Sequence, residues 1–204
     1  MTRSRLLRLV LLPVAGLLAA CAAGRDPAPL TGTLSAPGLA GQRVMVFPVQ
    51  EAPSPREATR ELVFALESRG GTSRWVFPDA LRSSLERSPG LDVPLDELPV
   101  GVFRRAEVRR IGDPLYGMIR RAASLNGATA ALLPVAVGFR PAGAEEPAAM
   151  EVLAAVVDVT TGRVLWLDGD SAPADGPGDP GGLARVMDAL ARRLLPEVQG
   201  SNAK

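Results

Sequence analysis

The residues best equipped for chemistry in this chain are carboxylates, arginines and one thiol. Glu145-Glu146 is an adjacent acidic pair, and Asp158, Asp168 and Asp170 lie near one another along the sequence. Paired carboxylates can share general acid and base roles, as in glycoside hydrolysis, so a carboxylate-dependent glycan-acting enzyme is one reading. Glu145-Glu146, however, falls in a connection between two strands where solvation is expected, and the aspartates fall at a turn and a strand exit. Asp168, Asp170, Asp175 and Asp179 supply calcium-type oxygens without the glycine and ligand spacing of a calcium loop, which favours a plain surface loop. Arg104, Arg105, Arg109 and Arg110 form the one local concentration of charge, with Glu107 among them. Such a patch suits an anionic partner or lipid headgroups; the alternative is a solvated loop in an arginine-biased chain. Cys21 is the only cysteine.

What is missing narrows the chemistry further. The 204 residues contain no histidine, and the only lysine is Lys204. Ser-His-Asp and Cys-His nucleophilic systems therefore cannot be assembled, and a Ser-Lys dyad would depend on the last residue of a frayed tail. A lone cysteine forms no intrachain disulfide, and zinc or copper sites lack their usual ligands. The composition points to no enzyme, no cofactor, no metal and no evident small-molecule substrate.

The amino terminus explains the thiol. Arg3, Arg5 and Arg8 make a basic tip, Leu9 to Ala20 an apolar run, and Ala22-Ala23-Gly24-Arg25-Asp26-Pro27 a return to polar, turn-forming composition. That sequence of regions describes an export signal, and the apolar run is shorter than the roughly 20 residues a bilayer crossing needs. Leu18-Ala19-Ala20-Cys21 resembles the lipobox of bacterial lipoproteins. The resemblance implies cleavage between Ala20 and Cys21, acyl chains such as palmitate on Cys21, and a mature chain anchored in a membrane. An ordinary secretory signal that happens to hold a cysteine is the alternative. Ala22, rather than aspartate, follows the cysteine; by resemblance to sorting signals of two-membrane bacteria this implies the periplasmic face of the outer membrane. Loss of the three leader arginines leaves 20 basic against 22 acidic residues, a charge of −2. The mature chain thus lacks the electrostatic basis for a nucleic-acid partner.

Four segments follow: a cleaved signal peptide over 1–20, a lipidated cysteine and flexible tether over 21–42, an α/β domain over 43–198, and a disordered tail over 199–204. Three prolines and four glycines between residues 22 and 41 mark the tether, with Leu30, Leu34 and Leu39 able to lie on the domain surface. Val44 to Val49 reads as a buried strand whose pairing weakens at Pro48. A helix over 56–68 presents Leu62, Ala65 and Leu66, with Val63 and Phe64 thickening its apolar face. Trp75-Val76-Phe77 is a second strand, and a helix begins near Pro78-Asp79. From Leu91 to Ile111 the pattern is poor. Asp113-Pro114 opens a third helix that Asn126-Gly127 closes.

Three further strands follow, over 130–139, 150–159 and 164–167. Pro134 requires an edge position or a bulge. The tight turn Asp158-Val159-Thr160-Thr161-Gly162-Arg163 places Gly162 in the left-handed region and joins the last two strands in an antiparallel meander. Residues 168–182 read as a loop, and a last helix runs over 183–195. The expected fold class is α/β: one domain with a layered mixed sheet, a C-terminal three-strand antiparallel meander and helices packed on it.

This order, with Val44-Met45-Val46-Phe47-Pro48-Val49, Gly127-Ala128-Thr129-Ala130-Ala131-Leu132 and Val157-Asp158-Val159-Thr160-Thr161-Gly162-Arg163-Val164-Leu165-Trp166, resembles a group of envelope proteins. The group includes the amino-terminal domain of TolB, the curli-export channel lipoprotein and the lipoprotein activator of penicillin-binding proteins. The resemblance implies a non-catalytic periplasmic module that binds an envelope protein. An oligomeric accessory subunit of a secretion or transport assembly is the second expectation.

Overall fold

The computed structural model describes residues 38–105 and 108–195. The signal peptide, Ala20 and Cys21, the tether to residue 37 and the tail over 199–204 lie outside the described residues. The elements are β1 (Arg43–Val46), α1 (Pro55–Arg69), β2 (Arg74–Val76), α2 (Pro78–Glu86), a 3₁₀ turn (Val100–Arg104), α3 (Leu115–Asn126), β3 (Ala130–Arg140), β4 (Ala149–Asp158), β5 (Val164–Pro173) and α4 (Pro180–Leu194). They build one five-stranded mixed sheet in the order β2-β1-β3-β4-β5. β1 is parallel to β2 and β3, and β3, β4 and β5 form the antiparallel meander.

The sheet is buried on both faces, so its central strands read as continuous apolar runs. On one face α1 and α4 pack Leu62, Leu66, Val186, Met187 and Leu190 against Val44, Val46, Leu132, Val156 and Trp166. On the other, α2, α3 and the 91–104 segment pack Leu81, Ile119, Leu98 and Phe103 against Met45, Leu133, Ala155 and Val157. Each such fully buried side chain contributes about 1.5–3 kcal/mol relative to exposure. Both cores are filled by residues between Leu39 and Leu195, so the unit carries its own hydrophobic interior.

Several local expectations change form. Pro134 sits in an inner strand, and the sheet accommodates it by a bulge: the β3–β4 register shifts between Pro134 and Ala136. Val135 and Ala136 consequently both turn toward the α2–α3 layer, and Val137 returns to the α1–α4 layer. β1 ends at Val46 before Pro48, and contact with β3 resumes where Gln50 N donates to Pro134 O at 3.1 Å.

The segment after Leu167 is a strand rather than a loop as far as Pro173, and α4 begins at Pro180 behind the N-cap Asp179. Leu39, only 2 % exposed, belongs to the core. Phe64, by contrast, does not extend the buried face of α1: two residues from Leu62 on a 3.6-residue period, it points away and is 67 % exposed. The 91–111 segment lacks periodicity because its apolar residues anchor singly. Val93, Leu95, Leu98, Val100 and Phe103 are all buried. Gln50 ties the segment down, its Nε2 donating to Pro48 O at 2.7 Å and Leu95 O at 2.9 Å while its Oε1 accepts from Leu98 N at 2.7 Å.

Candidate interaction surfaces

The structure divides the arginine cluster. Arg104, at the end of the 3₁₀ turn, pairs with Glu51 at 2.6 Å, and Glu51 bridges to Ala136 on β3. Arg109 and Arg110 lie at the other end of the strands. Ile111 N donates to Gly162 O at 2.8 Å and Val164 N to Arg109 O at 2.9 Å, which makes Arg110 and Arg163 partners in an antiparallel bridge. Ala130 is the β3 residue at that level, six positions from Ala136, or about 20 Å of strand. Arg105 is exposed between the two sites.

The turn beside Arg110 is held by side chains. Asp158 Oδ1 accepts from Thr160 N at 2.9 Å, Thr161 N at 2.7 Å and Thr161 Oγ1 at 2.9 Å. Burial opposes ionisation of this carboxyl, but the hydrogen bonds from Thr161 and Thr160, with the charge of Arg163, hold it below the usual aspartate range. Tyr116 Oη donates to Thr160 O at 2.5 Å, and Arg110 Nε donates to Thr161 O at 2.8 Å. Gly162 has φ of +70°, as the turn sequence predicts.

The other acids also have structural partners. Asp168 is 8 % exposed and is bound by Arg193, with Gly169 N donating to its Oδ1 at 2.8 Å. Asp170 Oδ1 accepts from Ser171 N at 2.8 Å. Asp179 caps α4 through Gly181 N at 2.8 Å. Arg140 ties Glu146 at 2.7 Å and Glu151 at 2.6 Å beside the β3–β4 connection. Asp168 faces Ala154 on β4, four residues from Asp158, or about 13 Å along the strand. That exceeds the roughly 5–9.5 Å between the carboxyls of a glycosidase pair. Among the described residues, no group of three or more His, Cys, Asp or Glu side chains is placed to hold a metal ion. Nor is any helix among them long and apolar enough to cross a membrane.

The bonds of the second half of β5 also cover part of the sheet's outer border. Gly169 and Ser171 give their N–H groups to Asp168 and Asp170, while Gly169 O accepts from Arg193 Nη1 at 2.6 Å and Pro173 O from Arg185 Nη2 at 2.7 Å. Alternate residues of a strand direct these groups to the same side, so 169, 171 and 173 all face away from β4. A strand edge with consumed donors and acceptors is protected against pairing with another chain.

On the opposite flank an open groove of about 790 Å³ runs between α1 and the start of α2. Phe64, Val63, Phe77 and Pro78 give it apolar surface, Arg56 and Arg60 stand on the α1 side, and Arg82 is held by Asp79 at 3.3 Å and Asp96 at 2.7 Å. The groove depends on Phe64 pointing outward, which the apolar count of α1 conceals. Only its position on the helical wheel, opposite Leu62, signals it.

No protein-family model matches the chain, and no curated protein matches it. Among solved structures it is similar to the C-terminal domain of LpoB from Salmonella enterica, at 20% identity over 68% of this chain and 87% of that one, with a TM-score of 0.47. It is similar to a PelC dodecamer from Paraburkholderia phytofirmans at 19% identity over 79% and 90%, with a TM-score of 0.38. A lipoprotein from Neisseria meningitidis is similar at 18% identity over 75% and 97%, with a TM-score of 0.41.

Proposed function

We propose that this chain is a lipid-anchored protein of the bacterial cell envelope, held by Cys21 and acting as a non-catalytic interaction module in the periplasm. The leader, the lipobox-like Leu18-Ala19-Ala20-Cys21 and the tether support the anchor, and Ala22 after the cysteine supports an outer-membrane position. The interaction role is carried by one observation: Phe64, 67 % exposed, beside an open groove with charged borders. An exposed aromatic ring inside a polar rim is the usual anatomy of a protein-binding hot spot. The sealed border of β5 favours a module that meets partners through side chains over a subunit that assembles strand to strand.

The test has two arms. Mass spectrometry of the chain extracted from membranes should find Cys21 as the first residue, carrying acyl chains. A photo-crosslinker placed at Val63 in intact cells should capture a single envelope protein, and Phe64→Asp should abolish that capture without altering the melting temperature. Unmodified sulfur at Cys21 would overturn the anchor, and capture indifferent to Phe64 would overturn the groove.

A further inference from the structure

The backbone ladder gathers two adjoining levels at one end of the strands, and these levels are rich in arginine. Arg74 pairs with Arg43 across β2 and β1. Arg43 O accepts from Thr129 N at 2.9 Å, Thr129 O from Val159 N at 3.2 Å, and Arg163 O from Asp158 N at 2.9 Å. Arg163 bridges in turn to Arg110. Arg74, Arg43, Thr129 and Val159 thus share one level, and Ala130, Asp158, Arg163 and Arg110 share the next, one residue along the strands; at the usual strand spacing the two adjoining rows together span about 24 Å. Arg43, Arg74, Arg109, Arg110 and Arg163 are all exposed, and among the described residues none of them forms an ion pair. Asp158, the one acid of the two rows, is occupied by its own turn.

Two of these juxtapositions set like charges on neighbouring strands, which costs stability unless an external anion offsets it. At the far end of the strands Glu51, Glu146 and Asp179 are each paired with an arginine, Arg104, Arg140 and Arg185 respectively. Arginines without an ion pair among the described residues thus gather at one end, whereas Arg104, Arg140 and Arg185 at the other are matched by carboxylates. The described chain also enters at the arginine end: Gln42 N donates to Leu39 O at 3.0 Å, and Arg74 N to Gln42 O at 2.8 Å. The chain that follows Cys21 in sequence therefore joins the domain at the cationic end.

We propose that the arginine-bearing end docks on the anionic headgroups of the bilayer that holds the acyl chains of Cys21, setting the strands upright and the α1–α2 groove on the flank. The inference rests on the lipid-anchor reading for its geometry. Polybasic surfaces next to a membrane anchor gain from each arginine near the surface, and a single lipid chain is strengthened by such a second contact.

Residues 22–204, made without the leader or lipid, should co-sediment with vesicles of phosphatidylglycerol and phosphatidylethanolamine but not with vesicles of phosphatidylcholine alone. Binding should weaken steeply as salt shortens the screening length. The variant Arg43→Gln, Arg74→Gln, Arg110→Gln, Arg163→Gln should bind at least about tenfold more weakly. The same four positions changed to lysine should retain binding, and circular dichroism confirms that each variant is folded. Failure to bind anionic vesicles, or binding indifferent to the glutamine substitutions, would overturn the proposal. So would retention on immobilised polyglutamate with no vesicle binding, which assigns the end to an acidic protein. Because this chain carries no lipid, none of these results depends on whether Cys21 is acylated, which its mass decides separately.

Discussion

Arg193 and Asp168 meet across the gap between α4 and β5, and the same guanidinium also takes Gly169 O at 2.6 Å. One side chain thereby neutralises a largely buried acid and occupies an edge carbonyl. Arg193→Ala leaves Gly169 O without a partner and Asp168 with the Gly169 N–H alone. A loss of about 1–3 kcal/mol in urea-denaturation stability is expected, and Asp168→Asn in the same background should recover part of it. Light scattering should also show greater self-association, since the border of β5 is then open.

Gly162 is fixed by conformation and by space. Its φ is +70°, and an added Cβ would lie 3.0 Å from the Tyr116 ring and 3.1 Å from Ile111 O. Gly162→Ala should cost about 1–3 kcal/mol. Amide exchange at Ile111 and Val164, the two donors that fasten the Arg109–Ile111 strip, should accelerate more than exchange in β1. Equal acceleration everywhere would count against a local role for the turn.

Gln50 uses both ends of its amide to hold a segment that has no regular structure to hold itself. Gln50→Leu keeps the approximate volume and removes the bonds to Leu95 O and Leu98 N. A destabilisation of about 1–3 kcal/mol is expected, with proteolytic cleavage appearing first between residues 91 and 99.

Acid should loosen the two carboxylate-capped turns. Asp158 is held low by the balance described above, and Asp179 by the N–H groups of Gly182, Asp175 and Gly181 with the charge of Arg185, against an ordinary value of 3.8. A depressed folded-state pKa adds stability above the unfolded value and loses it as pH falls through the folded one. Stability should therefore decline below about pH 4, and Asp158→Asn with Asp179→Asn should flatten that decline. An unchanged acid slope in the double variant would remove these two groups from the account.

The sequence displays what depends on periodicity. The helical spacing of Leu62, Ala65 and Leu66, the apolar runs of β3 and β4, and the Thr-Thr-Gly turn each carry their own signal. The second half of β5 does not, because Asp168-Gly169-Asp170 has the composition of a loop. Those aspartates cap the N–H groups that follow them, and a Cβ at Gly169 would lie 2.5 Å from Val152 O. The aspartates serve an edge and the glycine a close approach, and neither need is visible in a linear pattern. The arginine rows were equally hidden. Arg43, Arg74 and Arg163 are far from Arg109 and Arg110 in sequence, and strand register alone brings them to the same end of the sheet, while Arg104, a near neighbour in sequence, goes to the other end.

The closed outer border has one more implication. Proteins confined to a surface collide far more often than the same number in solution, and an open β-strand in such a crowd would act as a template for stacking. Along residues 169–173 the covered amides offer neighbouring copies fewer groups to pair with. If anchored as proposed, the molecule could stand beside its copies without this stretch of β5 recruiting them.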